Sequence, residues 1–92
     1  MSMEILQTQR FKKQVKKLHK KQKKELDFAV RKIANDPLVG EMKKGDLNGV
    51  QVYKFKMVKQ LTLLAYEFHA DKLQLIMLAL GSHENFYRDL KR

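Results

Sequence analysis

Apolar positions along the chain follow two periods, and the change from one to the other near Gly49 sets the expected architecture. From Thr8, a residue suited to an N-cap, Phe11, Val15 and Leu18 recur at helical spacing and fall on one narrow stripe at about 100° per residue. Lys12, Lys13, Lys16, Lys17, Lys20 and Lys21 occupy the remaining arc, which predicts a helix apolar on one side and cationic on the other. Leu26, Ala29, Val30 and Ile33 give a second helical pattern. It ends near Asn35-Asp36-Pro37, because proline disfavours helical geometry in the residue before it. The two helices form a hairpin, preceded by a short opening edge strand from Met3 to Gln7 with Ile5 and Leu6 at its centre.

Leu38 to Gly49 collects Gly40, Gly45, Asn48 and Gly49 among lysines and reads as a loop with turns. In Val50 to Val58 the period is two: Tyr53, Phe55 and Met57 share one face, Lys54 and Lys56 the other. Leu61 to Phe68 and Leu73 to Leu80 are further strands, joined by a turn at Ala70-Asp71-Lys72, so an antiparallel meander closes the fold. These last two strands are apolar on both sides. Each sheet face therefore needs a cover, the helical hairpin on one and the C-terminal segment or a partner chain on the other. The expectation is one α+β domain over residues 1–92, β-α-α-β-β-β with a short C-terminal helical tail.

Charge changes the picture more than size does. The chain has 20 Lys+Arg against 10 Asp+Glu in 92 residues, a formal charge of +10, which implies a polyanionic partner: nucleic acid, an anionic membrane surface or an acidic protein. Nine basic residues from Arg10 to Lys24, with no acid among them, favour contact with an RNA phosphate backbone over an idle solvated face. There are no cysteines, which excludes disulfides and thiolate metal sites. No apolar run approaches the roughly 20 residues of a membrane span, and the first residues lack the apolar core of a secretory signal, so a cytoplasmic protein without membrane contact is expected.

The stretch after the last strand brings His83, Tyr87 and Arg88 together: an imidazole that can move a proton near neutral pH, a phenol, and a guanidinium that can grip phosphate. Phe86 between them reads as a core anchor that turns Tyr87 the opposite way. Glu84 suits an ordinary first-turn carboxylate better than a base. His19 and His69 read as surface residues, and neither pairs with another ligand at metal spacing, so neither a metal site nor a cofactor is expected. Tyr53 and Phe55 read as core rather than as platforms for bases.

Leu47-Asn48-Gly49 followed by Val52-Tyr53-Lys54-Phe55-Lys56 resembles the Leu-x-Gly segment and Tyr-Lys/Arg-apolar-Lys/Arg strand of the RelE/ParE superfamily of bacterial toxins. Gly81-Ser82-His83 with Phe86-Tyr87-Arg88 resembles that family's closing Gly-His-Arg-x-x-apolar-Tyr-Arg segment, with His83 where the pattern usually has arginine. The resemblance covers essentially the whole chain. It implies a toxin held inactive by a cognate antitoxin. In the RelE-like branch the toxin cleaves mRNA in the ribosomal A site without metal, by attack of a ribose 2′-hydroxyl on the neighbouring phosphate. In the ParE-like branch it inhibits DNA gyrase. For a nuclease, the catalytic set would be Lys54, Lys56, His83, Tyr87 and Arg88: lysines on the charge developing at phosphate, His83 as general base or acid, Tyr87 on a nucleotide, Arg88 on a phosphate. One departure weakens the nuclease reading and leaves a weaker nuclease or a gyrase-type toxin as alternatives, with Lys59 or Gln60 of the preceding turn as candidate substitutes. Many RelE-like nucleases have an arginine three residues before the tyrosine of the middle meander strand, and here that position is Leu63.

Overall fold

Thr8 begins the helical hairpin through a local bond in which its hydroxyl accepts from the Phe11 amide at 3.1 Å. The computed structural model describes residues 3–82 together with Phe86, Tyr87 and Leu90. Its elements are β1 (Glu4–Gln7), α1 (Gln9–Lys16), α2 (Lys20–Asn35), β2 (Glu41–Met42), a single 3₁₀ turn (Gly45–Leu47), β3 (Gln51–Met57), β4 (Gln60–His69) and β5 (Gln74–Gly81). The sheet order is β1-β5-β4-β3-β2. β3, β4 and β5 form the expected antiparallel meander, and β1 lies at the edge, parallel to β5 with Ile5 opposite Leu75, which makes the sheet mixed.

The cationic face expected of one long helix is divided between two. Lys17 closes α1, its amide donating to the Gln14 and Val15 carbonyls, and Leu18 turns its side chain into the core. The His19 amide then donates to Gln22 Oε1 at 2.7 Å and starts α2. Lys20 and Lys21 thus sit in the first turn of α2 rather than on α1. No glycine or proline marks the break, and Leu18 keeps the helical period across it.

Both faces of the sheet are covered. On the helix side, Phe11, Leu26 and Ile33 pack on Met57, Leu64, Tyr66, Leu75, Met77 and Leu80. On the other, Leu47, Val50, Val52, Leu63, Ala65 and Ala79 pack with Phe86, and Tyr87 and Leu90 lie against them. A bulge between Ala65 and Tyr66 shifts the β4–β5 register, so Leu75, Met77 and Leu80 all reach the helix side although the last spacing is three residues. The described tail residues are helical, as expected.

Three side chains close gaps that strand pairing leaves. Beyond β1, the Thr8 hydroxyl donates to the Leu78 carbonyl at 2.7 Å. The Gln14 amide then pairs with Leu80 as a strand would, donating to its carbonyl at 2.6 Å and accepting from its N–H at 2.7 Å. The third is Tyr66. Its hydroxyl donates to the Pro37 carbonyl at 2.7 Å and accepts from the Gly40 amide at 3.0 Å, fixing the chain that follows α2. A Cβ on Gly40 would lie 2.7 Å from that oxygen, so only glycine fits.

Candidate functional site

Strand alternation on β3 decides where the lysines point. Val52 faces the cluster that holds Phe86, so Lys54 and Lys56, two and four residues on, face the same side. Both are exposed, whereas their cross-strand neighbours range from fully buried Leu63 opposite Lys54 to Leu61, 43% exposed, opposite Lys56. The chain enters this strand through Leu47, anchored in the same cluster, and Gly49, whose φ of 91° makes the turn.

Tyr87 lies on that same face. Its ring meets Phe86 edge-on at 5.4 Å between centroids, and the Lys43 ammonium sits 5.0 Å from the ring centroid. Phe86 is the core anchor that the sequence implied, but Tyr87 does not turn away from it: both rings belong to one apolar cluster. Lys43 is also bonded to Glu41 at 3.0 Å. This hydrogen bond holds the Glu41 carboxyl below its usual range, helped by the charge of Lys43; desolvation opposes the shift, and the charge of Lys54 favours it more weakly. The same bond raises the Lys43 ammonium, opposed by burial and aided by Tyr87. Lys54, Glu41, Lys43 and Tyr87 therefore form one electrostatic neighbourhood.

Glu41 and Lys43 are site neighbours that sequence reasoning placed in a loop. Glu41 opens β2 and Lys43 follows it; the strand pairs Glu41 with Val52 and Met42 with Gln51 before the Lys43 amide continues to the Val50 carbonyl at 2.8 Å. A two-residue strand is too short for periodicity to reveal. His83 and Arg88 lie outside the described residues, as does Glu84. β5 nevertheless ends at Gly81 opposite Leu63, two strands from Lys54, about 10 Å at ordinary strand spacing. The Leu63 side chain is fully buried beneath the tail cluster and supplies no cation there. Lys59 lies in the β3–β4 turn, four residues before Leu63.

Lys12, Lys13, Lys16 and Lys17 are all exposed on and just after α1, and Lys20 and Lys21 are exposed at the start of α2. Among the described residues no helix is long and apolar enough to cross a membrane.

A family model described as ParE-like toxin of type II bacterial toxin-antitoxin system matches residues 5–91. The chain belongs to that family. Solved structures agree with the fold of this ParE-like toxin. A chain of the E. coli RelBE toxin-antitoxin complex aligns with a TM-score of 0.72 at 18% identity, over 90% of this chain and 99% of that one. The Mycobacterium tuberculosis RelBE2 complex gives 0.75 at 16% identity, over 90% and 100%. A YoeB/ParE toxin from Agrobacterium tumefaciens gives 0.71 at 15% identity, over 88% and 99%. At such identities the likeness is one of fold, and activity is argued from the site. No curated protein matches the chain.

Proposed function

We propose that this ParE-like toxin is a ribosome-dependent, metal-independent mRNA endoribonuclease that inhibits translation. The observation that carries the reading is the exposure of Lys54 and Lys56 on the sheet face that also holds Tyr87, with Lys43 beside its ring. Cleavage by this route forms a bond from the ribose 2′-oxygen to phosphorus and breaks the bond from phosphorus to the 5′-oxygen. Charge builds on the non-bridging oxygens, and fixed ammonium groups stabilise it more in the transition state than in the ground state. Lys54 and Lys56 take that role. His83 removes the 2′-hydroxyl proton or returns one to the leaving oxygen, Tyr87 orients a nucleotide, and Arg88 holds a neighbouring phosphate. The lysines of α1 and the start of α2 meet ribosomal RNA through its phosphates.

The partner that silences the toxin is a cognate antitoxin, as in the RelBE complexes whose toxin chains share the fold. Its acidic side chains would meet the lysine face, and its apolar residues would bury against the toxin surface.

One observation favours a second reading, inhibition of DNA gyrase. Leu63, where many RelE-like nucleases carry arginine, is built into the core, so the lysine face has one phosphate ligand fewer. Two assays separate the readings. Induction of the wild type should produce mRNA ends at ribosome-bound codons, and Lys54→Ala, His83→Ala and Tyr87→Phe should reduce them. Intact transcripts together with blocked supercoiling by purified gyrase would replace the nuclease with the gyrase inhibitor.

A further inference from the structure

The aromatic residues of β3 are not fully sequestered. Tyr53 and Phe55 rest against the helix-side core but stay partly exposed, with their rings nearly parallel, 13° apart in plane and 5.9 Å between centroids. Phe28 on α2 faces the same opening and is 59% exposed, a large apolar side chain left in water by a helix that buries Leu26, Ala29 and Ile33. Between them is a cleft of about 380 Å³, flanked by Lys32 and Lys56. It stays open because β2 pairs with only Gln51 and Val52, leaving the edge of β3 uncovered by β2 from Tyr53 onward. Among the described residues the one carboxylate lining it, Glu25, accepts a hydrogen bond from the Val58 amide in the β3–β4 turn.

We propose that this cleft between α2 and β3 is a stacking site for one or two unpaired RNA bases, with Lys32 and Lys56 on the flanking phosphates. The chemistry is that of proteins that bind single strands: π faces accept any base, and ammonium groups at the rim follow the backbone. A wholly apolar partner would leave the two lysines without counter-charges, whereas a polynucleotide supplies a face for each ring and a charge for each lysine. The volume lies within the range of small-molecule pockets, roughly 300–1,000 Å³. Lys56 belongs by strand parity to the lysine face but also lines this cleft, so one RNA strand could pass from the stacking site around the β3 edge to the proposed site of cleavage. The proposal rests on RNA being the toxin's partner, but not on its cleavage.

The test measures binding of the purified chain to a six-nucleotide 2′-O-methyl oligouridine, which lacks the 2′ nucleophile, and to an abasic strand of the same length. Phe28→Ala should weaken binding of the base-bearing strand roughly five- to hundredfold and leave the abasic strand unchanged. Phe28→Trp should bind as well as the wild type or better, and Phe28→Leu should behave like the alanine variant. Because Phe28 is mostly exposed, all three variants should keep the wild-type melting temperature. Wild-type affinity in Phe28→Leu, or equal binding of the abasic and base-bearing strands, would overturn the proposal. If no transcript is cleaved but base-dependent binding persists, the nuclease reading falls and the stacking site stands.

Discussion

Tyr66 shows how much one atom can hold. Its hydroxyl joins the Pro37 carbonyl, the Gly40 amide and the Gln51 side-chain amide, the last at 3.2 Å, in a region where the Tyr66 ring is fully buried. Tyr66→Phe would leave the Gly40 N–H buried without that partner and should cost about 1–3 kcal/mol in urea unfolding. The same site gives a pH signature. Burial pushes the phenol above its ordinary 10.0, with the nearby Asp36 charge adding to the shift and the Gly40 bond opposing it. The folded state thus holds the proton more tightly than the unfolded chain. Stability is fully present below pH 10.0 and falls as pH rises from there through the folded pKa. Unfolding curves between neutral pH and pH 11 should show this decline in the wild type, and it should be weaker in Tyr66→Phe.

At the scale of elements, the design relies on substitutes for missing pairing. Gln14 stands in for a strand beside Leu80, and Gln14→Leu should expose both backbone groups to an apolar neighbour and lower stability by about 1–3 kcal/mol, read by denaturant unfolding. The β3–β4 hairpin turns through Val58 and Lys59 at φ 50° and 67°, a left-handed pair that normally favours Asn-Gly. A β-branched valine is poorly suited there. Val58→Asn combined with Lys59→Gly should raise stability by about 1 kcal/mol, since the Val58 amide bond to Glu25 comes from the backbone and survives the change. A fall in the denaturation midpoint would show that the side chains, not the turn geometry, set its energy.

The whole molecule is governed by its charge. A formal +10 on 92 residues repels itself and seeks polyanions, so RNA binding should weaken steeply with salt. Replacing Lys12, Lys13, Lys16 and Lys17 together by alanine should flatten the salt dependence, by about 0.7 in the log–log slope for each phosphate of a single strand that is no longer neutralised. An unchanged slope would assign that face to solvent. Antitoxin binding to the folded toxin should raise its melting temperature in a concentration-dependent way. Identical melting with and without the antitoxin would contradict a partner that recognises the folded state.

Local chemistry and period were enough to read the Thr8 cap, the stop before Pro37, the exposed lysine alternation of β3 and the charge, because each depends on residues close in sequence. The family resemblance was legible for the same reason, carried by short segments such as Leu47-Asn48-Gly49. Tertiary structure decided what depends on distant partners. It broke the helix at Lys17–His19 by drawing Leu18 into the core. It placed Lys43 beside Tyr87 through a two-residue strand, buried Leu63 under the tail, and left Tyr53 and Phe55 open at an edge that only sheet order could reveal. Alternation tells which residues share a face, but which positions on a face stay exposed is fixed by what else packs on the sheet.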